Sequence, residues 1–263
     1  FGFLLAGMAS YIWLVPLLLM QSVVMVSGAM FIQRITPDYQ QSKKKNLTTS
    51  RLTLLKQGFK MVGSHAPMRL VSLLNILVGL VFMGSLMVAV PIIVRDIYGG
   101  TSSRLSFAIM AFYCGVILSS FLLGKIDKIR NIGSTLAGIM AVGAVAMLVM
   151  TLNVAFPIFL LLIFIWGMSV GFVFMLGRTV VQEAAPRNHQ ARVLSIYQIG
   201  ITGGGPIGAL IIGILTHHQG ALEVLYIPSI FLLVVLLVAS FTTKLLKIKS
   251  QVAVLPEEEP IKV

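Results

Sequence analysis

The chain has 263 residues, 57% of them hydrophobic and only 11% charged, and a formal net charge of +12. Soluble domains are roughly 45–50% apolar and about 25% charged, so this composition excludes a water-soluble globule and indicates an all-α integral membrane protein that crosses the bilayer several times. Its single cysteine, Cys114, excludes an internal disulfide and a Cys-rich metal site; lying in an apolar span, it is expected to be a small packing residue.

In chain order, the apolar run FGFLLAG at residues 1–7 has no charged region before it and no small-residue cleavage site after it. It reads as the severed tail of one helix, with further helices expected upstream rather than a signal peptide. A membrane-crossing helix needs roughly 20 mainly apolar residues. Seven candidates meet that length: 11–32, 70–94, 105–124, 132–152, 155–177, 193–216 and 224–243. Their runs are too long for the alternating strands of a membrane barrel.

The basic residues stand almost entirely in the gaps. Eighteen of the 20 Lys and Arg fall in 34–69, 125–130, 178–192 and the tail, and only Arg95 and Arg104 fall in the alternate gaps. That asymmetry puts the first set in the cytoplasm, along with the C-terminus. It also assigns the positive charge to membrane orientation rather than to nucleic acid. Four regions follow. Residues 1–33 end one bundle, and 34–66 form a basic cytoplasmic linker. Residues 67–246 make a six-helix bundle, and 247–263, ending LPEEEPIKV, are expected to be disordered. Within the linker, Leu52, Leu55, Phe59 and Val62 share one face of a short amphipathic helix.

Two segments say more. The first is Leu54 to Gly100, with Gly58, Ala66-Pro67, Pro91, Val94-Arg95-Asp96 and Gly99-Gly100. The second is Val180 to Leu215, with Gln182, Glu183, Pro186, Arg192, Val193, Ser195 and Pro206-Ile207-Gly208. Both resemble major facilitator superfamily transporters, in the branch of enterobactin exporters and macrolide-efflux pumps. The resemblance runs from helix six of a twelve-helix transporter to its C-terminus, so about seven of twelve helices are present. It departs at Ala191, where the family has Gly. It also departs at Gly124 to Arg130, a degenerate form of the G-x-x-x-D-R-x-G-R-R loop in which Asp127 stands one residue too close to Gly124.

The resemblance implies a bacterial cytoplasmic-membrane transporter that exports small amphipathic compounds, a drug or a siderophore, by alternating access. Its expected partners are the lipid bilayer, a small-molecule substrate, the N-terminal bundle of the same polypeptide and a coupling ion, H+. No cofactor, metal, nucleic acid or enzymatic role is expected. There is no G-x-x-x-x-G-K-[ST] for ATP, and no histidine pair at helical spacing with a carboxylate for zinc. The competing readings are an integral membrane enzyme acting on lipids and a non-transporting truncated fragment.

Ionisable residues within a membrane are functional candidates, but none stands at mid-span here. Proton coupling is therefore expected in the upstream half. Asp127, Lys128 and Arg130 on one loop, with Arg178, Glu183 and Arg192 on another, read either as an ionic gate at the cytoplasmic mouth or as charges that anchor helix ends. Candidate cavity residues are Asn75, Phe82, Tyr113, Trp166, Tyr197 and Gln198; ordinary packing is the alternative for each. Asn75, Gly79, Phe82 and Leu86 share one helix face. Finally, Gly203, Gly205 and Gly208 spell G-x-G-x-x-G, but they lie inside an apolar span with no strand before them, which excludes a phosphate loop. Gly200, Gly204 and Gly208, and in parallel Gly205, Ala209 and Gly213, instead make ridges that another helix can approach closely. Pro206 adds a hinge.

Overall fold

In the computed structural model the described residues are 19, 22–30, 51–100, 102–125, 131–186, 189–220 and 222–242. All their regular structure is helical. Residues 22–30 form a helical stretch exposed along its whole length. The rest of the 11–32 span, residues 34–50 of the linker, and the 247–263 tail lie outside the described residues.

Helix α1 (Arg51–Ser64) covers the amphipathic part of the linker. It docks through Gly58, where an added methyl would meet the Ile196 side chain, and through buried Val62, while Phe59 stays exposed. Six helices long and apolar enough to cross a membrane follow. Helix α2 runs through an α-helical part (Ala66–Leu77), a π-helical segment (Val78–Met83) and a second α-helical part (Gly84–Asp96). Then come α3 (Ser102–Gly124), α4 (Ile132–Met150), α5 (Phe156–Ala184), α6 (Gln190–Gln219) and α7 (Glu223–Thr242). Their length follows from the bilayer: the spanning part of α2, Met68–Asp96, has 29 residues, or about 43 Å at 1.5 Å per residue, enough to cross with tilt.

The connectors are short and local chemistry closes them. After α2 the chain turns at Gly99 and Gly100, with φ of +73° and +51°, and the Gly100 amide donates to the Val94 carbonyl at 3.0 Å. Both positions need the left-handed conformation that glycine takes without penalty. Tyr98 donates its hydroxyl to the Val154 carbonyl at 2.6 Å, and Arg104 stacks on Phe156. These contacts bring the α2–α3 and α4–α5 connectors to one end of the bundle. Docking of α1 on Arg192 and Ile196 puts the starts of α2 and α6 at the other, basic end.

Helix α5 is central and packs on α3, α4, α2 and α6. Side-chain hydroxyls within the spans mostly fold back onto their own helix: Ser106, Ser120, Ser169, Thr179, Thr202, Thr216 and Ser229 each donate to the carbonyl four residues earlier. Without water, internal satisfaction is the inexpensive way to carry a polar group. Helix α3 buries only a narrow stripe, Ala108, Phe112, Gly115 and Ser119. Cys114 falls off that stripe and faces outward, which corrects the expectation that it packs inside.

Candidate functional site

Two seams of glycine hold the bundle together. At the first, α2 and α6 run parallel: Asn75 meets Tyr197, Gly79 meets Gly200 and Ile201, and Gly84 meets Gly208. A methyl placed on Gly79 would lie 2.8 Å from the Ile201 carbonyl oxygen, and one on Gly204 would lie 3.0 Å from that of Ile76. On Gly208 it would run into the Leu80 carbonyl. Along the ridge Gly200–Gly204–Gly208, Gly204 and Gly208 face the α2 backbone directly, while Gly200 faces the Asn75 and Ile76 side chains. The parallel ridge lacks such contacts at its glycines. A methyl on Gly213 would meet nothing within 4 Å, and one on Gly205 only the edge of Met83. Spacing cannot separate two ridges about 100° apart on one helix; the partner helix covers only one of them.

The helices at this seam are themselves irregular. The π-helical turn of α2 lies at the crossing, with the Gly84 amide donating to the Gly79 carbonyl five residues back. Opposite it, α6 contains Pro206, which withholds the hydrogen bond that would satisfy the Thr202 carbonyl. π-Helical turns inside α-helices are frequent at functional sites.

Asn75 sits at the basic end of this seam, 1% exposed. Its Nδ2 donates to the Tyr197 carbonyl at 2.6 Å, while its Oδ1 has no partner in the protein. Tyr197 is buried beside it and donates its hydroxyl to the Phe174 carbonyl at 3.3 Å. Deeper in the bundle, Phe82 stands edge-on to Trp166, with ring centroids 5.9 Å apart. Phe112 does the same from the other side at 5.5 Å and also touches Tyr113. The Trp166 indole nitrogen is buried without a partner.

The structure thus divides the six candidate cavity residues. Asn75, Phe82, Trp166 and Tyr197 turn into the bundle, and Leu86 and Gly79 with them. Tyr113 and Gln198 face outward. Of the charged loops, Arg178 is exposed, and Glu183 and Arg192 are half-buried where α5 passes into α6. The Gln190 side chain donates to the Gln182 carbonyl across the same connector. Asp127, Lys128 and Arg130 lie outside the described residues. At the opposite end Arg95 and Asp96 form an exposed ion pair at 2.6 Å.

Two features have weak sequence signals or none. One is the second glycine seam, between parallel α3 and α5. Methyls on Gly115 and Gly167 would collide with the Phe164 and Phe112 carbonyls, and one on Gly171 with Ser119; the Gly167-x-x-x-Gly171 spacing was its available signal. The other is a groove of about 510 Å³ between α1, α2 and α6, whose leucines and isoleucines look like any span surface.

Six helices long and apolar enough to cross a membrane, packed around glycine seams and with their charged side chains near the helix ends, define a polytopic α-helical membrane protein. The family model of the Major Facilitator Superfamily matches residues 1–198 and 71–260, and the chain belongs to this superfamily of membrane transporters. A search of the curated proteins finds no match.

Proposed function

We propose that the protein is an ion-gradient-driven exporter of small amphipathic compounds, working by alternating access against a second six-helix bundle of the same polypeptide, with its C-terminus in the cytoplasm of a bacterial cell. The observation that carries this reading is the α2–α6 seam. It joins a π-helical turn, an internal proline and a half-satisfied buried amide at one glycine crossing, where helix backbones can slide or re-register at little steric cost. Rocking of one bundle against another around a midplane site is how such folds expose that site alternately to the two sides. The export direction and the amphipathic cargo rest on the Leu54–Gly100 and Val180–Leu215 motifs. An apolar and aromatic interior with few polar groups suits that cargo. Because ionisable residues in the described spans stand near helix ends, proton coupling is assigned to the second bundle.

The test is transport by the complete protein in its native membrane. Cells preloaded with a fluorescent amphipathic cation and, separately, with a labelled catecholate siderophore should lose one of them faster when the protein is expressed, and a protonophore should abolish the difference. Equal loss with and without expression for both cargoes, or loss that survives the protonophore, overturns the proposal.

A further inference from the structure

The exposed faces of the spans differ in chemistry. Helix α6 exposes Gln198 and Thr202 within its span, and α3 exposes Tyr113 and Cys114. Helices α4 and α7, which pack on each other, do not share this character. Every exposed side chain of α4 within its span is apolar, Val142 and Val145 among them, and so is every one on α7 from Ile227 to Phe241. A surface without polar groups is one that hydrocarbon covers at no cost, so the α4–α7 face is the one suited to the bilayer.

At the end opposite the basic one, this face opens into a cavity of about 610 Å³ lined by Thr151, Leu222, Glu223, Tyr226 and Ile227. Glu223 is exposed and is the first residue of the α7 span, which puts its carboxylate at headgroup depth. Tyr226 and Ile227 follow one turn later on the same helix face. Among the described residues no cation pairs with Glu223. Thr151 gives its hydroxyl hydrogen to the Leu148 carbonyl at 2.7 Å, so its oxygen faces the cavity as an acceptor. It is also the C-cap of α4, where the carbonyl end of a helix carries partial negative charge. The cavity thus presents a carboxylate, a hydroxyl acceptor and an aromatic ring, and no cationic side chain lines it.

We propose that this cavity seats the ammonium group of one phosphatidylethanolamine, whose acyl chains lie over the apolar α4–α7 face. An ammonium carries three N–H donors and no acceptor, the complement of Glu223 and Thr151. The ring of Tyr226 adds the attraction of an aromatic face for a cation. An anionic headgroup would instead meet a carboxylate and the negative end of α4. A metal ion is a poorer match, because among the described residues no three potential ligands come together. A place at the α7 N-terminus would account for Glu223 alone, and the interfacial belt of aromatics for Tyr226 alone. Neither accounts for an acceptor-lined cavity between α4 and α7 at the edge of a hydrocarbon face. The assignment depends neither on the cargo nor on the direction of transport.

Native mass spectrometry of the complete protein, titrated with dioleoyl-phosphatidylethanolamine or dioleoyl-phosphatidylglycerol, reads it directly. The wild type should retain one phosphatidylethanolamine about threefold more tightly than phosphatidylglycerol, the scale of one exposed charged contact, and the preference should shrink at high salt. Glu223→Gln should remove the preference. The side chain is exposed, so the variant disturbs no packing, and an unchanged melting curve in detergent verifies that it folds. Asp96→Asn removes another carboxylate at the same end, one already held by Arg95, and should leave the preference in place. Free ethanolamine, equimolar with the lipid, should not displace it. Equal retention of the two lipids by the wild type, a preference that survives Glu223→Gln, an equal loss in Asp96→Asn, or displacement by free ethanolamine each overturns the proposal.

Discussion

The two glycine seams are built from the same residue and are mechanically unlike. Between α3 and α5 all three glycines are closed, since a methyl at Gly115, Gly167 or Gly171 would overlap atoms of the neighbouring helix, and both helices are regular throughout. Between α2 and α6 the seam is closed at Gly79, Gly84 and Gly208 and leaves slack only on the α6 ridge towards the basic end. There a methyl on Gly204 would be merely tight at 3.0 Å, and the groove opens beside Gly200 and Gly203. This seam also holds the π-helical turn of α2 and Pro206 of α6. Close-packed interfaces tend to be bistable rather than continuously deformable, so a seam that moves needs slack and backbone irregularity at the same place. The first seam has neither and reads as a brace; the second has both.

The sharpest way to break this contrast is to overfill each seam. Gly167→Leu drives four carbons into the Phe112 backbone, and overpacking of a tight core costs about 1–3 kcal/mol or more. No monodisperse protein should survive detergent extraction, whereas Gly213→Leu, facing open space, should extract like wild type. Similar yields for the two variants would mean that the α3–α5 seam is not the brace. Gly204→Leu should behave differently. The protein should insert and extract, but transport should fall about tenfold or more, the equivalent of roughly 1.4 kcal/mol on one state of the cycle. Unchanged transport in that variant would leave the α2–α6 seam static.

Much of this fold was legible in the sequence, because hydropathy and bilayer thickness together fix where helices cross. The six spans from Met68 to Phe241 fall where continuous apolar runs place them. The Gly200–Gly204–Gly208 ridge was equally plain, since four-residue spacing survives as a stripe. What it packs against was not, because Gly79 and Gly84 are five apart and a π-helical turn brings them into line. The functional candidates were least legible. Hydropathy assigns Trp166 and Phe82 to a span without saying whether they face a cavity or each other, and Gln198 and Tyr197 are neighbours in sequence that point opposite ways.

A smaller effect tests Asn75, the polar end of the α2–α6 seam. Hydrogen bonds between membrane helices average about 0.6 kcal/mol and reach about 1.7, so Asn75→Leu should lower stability against denaturant in micelles by about 1 kcal/mol. A transport defect much larger than that would separate a role in the transport cycle from simple packing. A transport change no larger than the stability loss would make Asn75 a strut.

The smallest expected effect lies at the opposite end, where Tyr98 ties α2 to the start of α5. Its ring packs on Phe156 and Phe159, 5.3 and 4.9 Å between centroids, and its hydroxyl reaches the Val154 carbonyl. Tyr98→Phe keeps the ring and loses the hydrogen bond, a cost of about 1 kcal/mol near neutral pH. Burial raises the phenol above its usual value of 10.0, which sets the sign of the alkaline response. Below that value both folded and unfolded chains keep the proton, and the wild type holds its full advantage. As pH rises above it, the unfolded chain ionises first, and the advantage is lost progressively until the folded phenol also titrates. Stability of wild type and Tyr98→Phe, measured by denaturant in micelles, should therefore differ most at neutral pH and converge above about pH 10. A gap that stays constant through that range would mean that the Tyr98 hydroxyl is open to water, and that this end of the braced pair is looser than its seam.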